Sequence, residues 1–109
     1  MQPPNQQELR RAAGIFKALA HPARVRVVWL LADGRATTQR ALLDELHWPQ
    51  STMARHIATL RERGVVTATR RGNEVYLQLT DDLMPALLAT ACDWARPDRV
   101  GAAGPDPDR

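Results

Sequence analysis

A chain of 109 residues, 44% hydrophobic and 25% charged, has room for one domain with a modest core, which excludes a multidomain machine. No apolar run nears the roughly 20 residues that a bilayer-crossing helix needs, and nothing at the start reads as a secretory signal, so the cytoplasm is the expected compartment, with no membrane partner. Net charge is +3, and a single cysteine, Cys92, excludes an internal disulfide and a thiol-built structural metal site, leaving packing to hold the fold.

Residues 1–5 read as a flexible N-terminal arm. Asn5 and Glu8 are spaced as a capping box, and Leu9, Ala12, Ala13, Phe16, Leu19 and Ala20 then recur at helical spacing, predicting a first helix over about 6–20. Pro22 suits the first position of a second helix, because its missing amide hydrogen would find no partner there. Val25, Val28 and Leu31 form the stripe of that helix, which is expected to end near residues 33–34. Thr37 or Thr38 can cap a third helix, with Leu42, Leu43 and Leu46 facing inward and Gln39, Arg40, Asp44 and Glu45 facing water. This helix stops around His47, Trp48 and Pro49.

Over 50–63, Met53, Ile57 and Leu60 fall at i, i+4 and i+7 and form one buried stripe of a fourth helix. Its opposite side shows Gln50, Ser51, Ala54, Arg55, Ala58 and Arg61, a short, polar, cation-bearing face of the kind a major groove accepts. Gly64 closes the helix, and residues 65–69 and 75–79 predict two strands around Arg70, Arg71, Gly72 and Asn73, a hairpin with a basic tip. Asp82 can cap a fifth helix with Pro85 in its first turn, and Leu83, Met84, Leu87, Leu88, Ala91 and Trp94 give it a broad apolar face up to about Ala95. Residues 96–109 are rich in Pro, Gly and Asp and are expected to be a disordered tail. Residues 6–95 thus form one mainly α domain, five helices with a β-hairpin wing before the last: a winged helix-turn-helix.

Charge follows this division. Residues 1–49 carry seven basic and four acidic side chains, 50–80 five and two, and 81–109 three and six, so the acidic balance lies entirely at the end. Every basic residue but Lys17 is Arg, the side chain that grips phosphates and base edges with two donors.

Three separated runs, LAHPARVRVVWLL, LLDELHWPQSTMARHIATLRERGVV and TRRGNEVYLQLT, resemble the ArsR/SmtB family of winged-helix transcriptional regulators over about residues 8–95. The resemblance implies a homodimer joined through the first and fifth helices on a palindromic operator, with repression the more usual outcome. It makes the fourth helix the recognition helix, with Ala54 where the family commonly has Ser. Pro49 stands where a capping Ser is usual, so the helix start is either less well satisfied or occupied by Pro49 itself.

The DNA roles follow from chemistry. Gln50 can bond an adenine edge bidentately, Ser51 can reach a base or phosphate, and Arg55 can fork onto guanine or clamp a phosphate, with Arg61 adding charge to the same face. Thr52 is a phosphate contact or a local helix-start hydroxyl, and His56, beside the buried stripe, is a packed or phosphate-bonded imidazole. Arg70 and Arg71 are expected to meet the backbone or enter a minor groove; the competing reading is a tip kept polar for solubility. Leu9, Phe16, Leu87, Leu88 and Trp94 exceed what a small core covers, and a dimer would bury them while spacing two recognition helices about 34 Å apart.

The family's metal sites do not carry over. Its third-helix cysteine pair aligns with Thr38 and Arg40, and its fifth-helix His positions, counted from Asp82, fall on Met84 and Ala95. No cofactor is required. Asp44 and His47 at i, i+3 could share nickel or zinc with a donor from elsewhere, making a metal-responsive regulator with a non-standard site, although such surface pairs are common without metal. His21 reads as a helix-entry residue. Cys92 is either a redox switch across the dimer or a small buried cysteine. Without an effector, a protein co-regulator or cellular level would set the response. No enzyme is expected: the sequence offers no nucleophile with a base and no phosphate loop, and the adjacent pairs Asp81–Asp82 and Asp44–Glu45 point in different directions. A winged-helix protein-interaction module would want an acidic or apolar outer face where Arg55, Arg61 and Arg63 stand, and an RNA binder would want exposed aromatics, for which only Tyr76 is a candidate.

Overall fold

In the computed structural model, which describes residues 1–33 and 36–98, the chain runs through α1 (Gln6–Leu19), α2 (Pro22–Leu30), β1 (Thr37–Thr38), α3 (Gln39–Leu46), α4 (Gln50–Glu62), β2 (Val66–Arg71), β3 (Glu74–Leu79) and α5 (Met84–Trp94). The expected tail of residues 96–109 lies outside the described residues from 99 onward. Three strands pair antiparallel in the order β1-β3-β2.

Local chemistry sets most boundaries. The capping box forms in full: the Glu8 amide donates to Asn5 Oδ1 at 2.8 Å, and the Asn5 amide donates to Glu8 Oε1 at 3.3 Å. Pro22 opens α2 behind His21, whose Nδ1 accepts from the Ala23 amide at 3.1 Å. The second helix ends at Leu30 rather than near residues 33–34, and Leu31 to Asp33 continue as a turn. Thr38 caps α3 by accepting from the Ala41 amide at 3.0 Å. The same residue pairs with Tyr76, and Thr37 with Leu77, making a short edge strand that the sequence reading lacked.

Between α3 and α4 the chain turns through His47, Trp48 and Pro49, with His47 in the left-handed region at φ 56°. Pro49 occupies the cap of α4 without a side-chain bond, while its carbonyl accepts from the Met53 amide at 3.1 Å. The other end of α4 is closed by two crossed bonds around Gly64 at φ 72°: the Gly64 amide donates to the Arg61 carbonyl and the Val65 amide to the Leu60 carbonyl. This pattern satisfies the last orphan carbonyls, and buried Val65 and Leu60 supply its apolar contact. The N-cap of α5 is Leu83, without a side-chain cap, so the expected Asp82 cap does not form; Asp81 Oδ1 instead accepts from the Leu83 amide at 2.6 Å, just ahead of the helix. Three residues after Asp82 stands Pro85, which has no amide hydrogen to give it.

The core lies between α2, α4 and the sheet. Met53, Ile57 and Leu60 from α4 pack with Val27, Val28, Leu31, Leu42, Val66 and Leu77, so the i, i+4, i+7 stripe is buried as its spacing requires. The first helix turns a different face inward than its Leu9–Phe16 stripe suggests: Gly14 and Ala18 are buried, with Ile15 and Leu19 packed against the core. The fifth helix has two sides. Met84, Leu88 and Cys92 pack on the core at four-residue spacing, while Leu83, Leu87 and Trp94 remain exposed.

Candidate nucleic-acid interface

Burying Met53, Ile57 and Leu60 leaves α4 only one free face, and Gln50, Ser51, Ala54, Arg55, Ala58 and Arg61 are all exposed on it. The three buried side chains fix the helix's rotation as well as its position, because any roll would pull an apolar group into water at about 1.5–3 kcal/mol each. Thr52 and His56 sit on the flank of that face, half-buried. Arg63 leaves it: its guanidinium lies over Gly14 of α1, where a Cβ would come within 2.9 Å of Nη1. Of the cations expected there, Arg55 and Arg61 therefore serve the outer face and Arg63 does not.

The wing differs from its sequence reading in one respect. Arg70 and Arg71 are the last two residues of β2, paired with Val75 and Glu74, and the tip itself is Gly72–Asn73 with Gly72 at φ 63°. Glycine is what the type II′ hairpin turn needs at its first central position, and Asn73 behind it is not left-handed. Consecutive strand residues face opposite sides, so the two arginines diverge. Arg71 shares the outer face with Tyr76, its guanidinium 5.3 Å from the ring centroid. Arg70 lies on the face that carries the buried Leu77 nearer the core, and its Nε donates to the Gly72 carbonyl at 3.4 Å. Both remain exposed.

Wing and recognition helix lie on one side of the molecule. Asn73 and Glu74 of the tip, Gln50 at the start of α4, and Gln39 and Arg40 of α3 line a single groove of about 400 Å³. Arg40, exposed on α3, is thereby a member of this surface that the sequence reading left as ordinary solvated charge. Its signal was only its place one helix ahead of the recognition helix.

Beside α4 the polar surface continues onto α2. The His56 ring packs against the His21 ring at 4.7 Å between centroids and against Trp48 at 5.5 Å, and its Nδ1 lies 3.5 Å from Arg24 Nη1. Burial pushes the His56 imidazolium down from its ordinary range, and the neighbouring charges of His21, Arg24 and Arg55 push the same way.

A family model for a helix-turn-helix domain matches residues 19–68, the stretch from the end of α1 into β2. The HTH-type transcriptional repressor SmtB of Mycobacterium tuberculosis is 33% identical over 98 residues, 90% of this chain and 72% of that protein. The chain belongs to the ArsR/SmtB family. Like others of that family it is a DNA-binding transcriptional regulator of the winged helix-turn-helix type, and not an enzyme. Among solved structures, M. tuberculosis Rv0081 superposes on this ArsR/SmtB chain with a TM-score of 0.75 at 31% identity, covering 91% of it and 97% of Rv0081. A Mycobacterium bovis protein, Mb0332, described as a homodimeric winged helix-turn-helix DNA-binding domain, shares the fold at a TM-score of 0.73 and 24% identity, over 87% of this chain and 90% of that one.

Away from the DNA face, Leu9, Phe16, Leu87 and Trp94 are 49%, 58%, 41% and 70% exposed. Leu88, expected with them, is 5% exposed and belongs to the subunit's own core, because it lies on the α5 side that carries Met84 and Cys92. Asp44 and His47 are both exposed, and among the described residues no group of three or more His, Cys, Asp or Glu side chains comes together that could hold a metal ion. Cys92 is half-buried at the seam of α2 and α5. Among the described residues no helix is long and apolar enough to cross a membrane.

Proposed function

We propose that this regulator is a homodimeric repressor that binds a palindromic operator. In this reading α4 enters the major groove with Gln50, Ser51 and Arg55 at base edges, Thr52, His56 and Arg61 serve the flanking backbone, and Arg70 and Arg71 of the wing contact the adjoining strand. The observation that carries it is the rotation of α4: its apolar stripe is buried, and its exposed face holds Gln50, Ser51, Ala54, Arg55, Ala58 and Arg61, with one acid, Glu62, at its last turn. The partner contact is assigned to α1 and α5. Phe16 and Leu87 line one apolar crevice between these helices, about 360 Å³ in volume, which a second copy of the same face would fill. Two-fold pairing then imposes two-fold symmetry on the site, with half-sites one helical turn, about 34 Å, apart. Repression is the action in the name of the SmtB relative, and the cytoplasm, where DNA is transcribed, is the compartment. Among the described residues Asp44 and His47 gather no third donor, so a metal response through them would take its further donor from elsewhere.

The test is selection of bound sequences from genomic fragments at a stated salt concentration, with and without nickel and zinc, followed by fluorescence anisotropy against random competitor. The expected result is an inverted repeat preferred by a factor of 10³ or more over random sequence. No preference for any duplex would overturn the reading.

A further inference from the structure

Beside the recognition helix lies a cleft of about 610 Å³ between the start of α2 and the flank of α4, with Ala23 and Trp48 giving it apolar walls. His21, Arg24, Thr52, Arg55, His56 and Thr59 line it, and among the described residues no carboxylate does. Hydrogen bonding settles what the two imidazoles present. His21 Nδ1 accepts from the Ala23 amide, and His56 Nδ1 faces Arg24 Nη1, which can only donate. The His21 ring, neutral with Nδ1 as acceptor, therefore carries its proton on Nε2, and the guanidinium 3.5 Å from His56 Nδ1 favours the same tautomer there. Arg24 is held in place by donating its Nε to the Ala18 carbonyl at the end of α1.

A cleft with protonated Nε2 atoms, two guanidinium groups and no acid is a poor seat for a metal cation and a good one for an anion rich in acceptor oxygens. We propose that this cleft is a phosphate site, and that it seats one backbone phosphate of the DNA strand flanking α4. The reading rests on the regulator function above, and it extends the DNA surface to His21 and Arg24 of α2; Thr59 only borders the cleft, its hydroxyl donated to the Arg55 carbonyl at 3.1 Å. Placement favours the DNA strand as the source: Thr52 and Arg55 belong both to the cleft and to the helix that faces the duplex. The groups that face His56 are His21 and Arg24 from α2 and Arg55 from its own helix, all cationic or able to become so. An incoming phosphate would offset them and raise the proton affinity of His56.

The test follows the imidazole signals of the full-length ¹⁵N-labelled protein by NMR, against pH, in three arms: alone, with the selected duplex, and with inorganic phosphate. The duplex is expected to move the His21 and His56 Nε2 signals and to raise the His56 midpoint. Thr59→Glu, a helix-compatible change that sets a carboxylate in the cleft, should weaken duplex binding about tenfold and lower the salt slope by about one, while Thr59→Gln leaves both near wild type. Duplex binding that leaves the imidazoles still and the Thr59→Glu slope unchanged would overturn the phosphate site and leave the regulator reading intact. Saturation by millimolar inorganic phosphate, with imidazoles indifferent to the duplex, would overturn the DNA assignment in favour of a free anion. Absence of any duplex binding would overturn the function itself.

Discussion

Two surfaces of this chain are left uncovered by its own fold, and their chemistry is opposite. The outer side of α4 shows Gln50, Ser51, Arg55 and Arg61, groups that water already solvates well and that give nothing to stability by being exposed. The outer side of α1 and α5 shows Leu9, Phe16, Leu83, Leu87 and Trp94, large apolar groups whose exposure is unfavourable at about 25 cal/mol per Å². The first surface is therefore suited to an encounter that can be made and broken, driven by phosphate charge and sensitive to salt. The second calls for a lasting partner, as extended apolar patches on soluble proteins do. Under the proposed function, the first surface is the reversible contact and the second the lasting one.

The contrast can be broken by mutation. The largest effect is expected beneath both surfaces: Leu60→Ala removes a fully buried side chain at the root of α4 and should cost about 2–5 kcal/mol in urea denaturation, disturbing DNA binding and assembly together. Next, Phe16→Asp should weaken self-association by about 2 kcal/mol or more, read by sedimentation as dissociation at micromolar concentration, with the monomer still folded. A fully dimeric Phe16→Asp protein would move the partner contact elsewhere. On the polar surface, Arg55→Ala should lose about 1–3 kcal/mol of operator preference in anisotropy titrations while leaving assembly and melting temperature unchanged. Arg71→Ala should weaken binding to all duplexes and lower the salt slope by about one, as expected of its proposed contact with the backbone.

The smallest expected effect is set by pH. His56 binds its proton less readily in the folded chain than its ordinary value of 6.5, so near and below that pH the unfolded chain holds more protons than the folded one. Stability contributed this way is complete above about pH 6.5 and is lost as pH falls through the lower folded midpoint of His56. Thermal melts between pH 8 and pH 5 should show the decline in the wild type and a shallower one in His56→Gln.

Much of this was legible in the residues alone. The α1 capping box, Pro22 at the start of α2, the Met53–Ile57–Leu60 stripe and Gly64 as a helix stop each rest on interactions within a few residues of one another, so spacing is enough to find them. The runs matching the family lie on those same elements, and the recognition face followed from the stripe by elimination. What spacing could not reveal depended on partners far along the chain. Thr37 and Thr38 become a strand only because β3 passes beside them. Leu88 and Leu87 are adjacent leucines of equal hydrophobicity, and only the packing of α2 against α5 buries one and leaves the other out.

The cleft beside α4 makes the same point for function. His21 and His56 stand in the sequence as a helix-entry residue and a flank histidine, 35 positions apart, and nothing there marks Arg24 as their neighbour. Periodicity determines which face a helix buries, because that is a property of one segment and its solvent. Which cations gather, and which imidazole nitrogen each leaves free, is decided by how segments meet, because hydrogen bonds and charges act across a few ångströms of space whatever the distance along the chain.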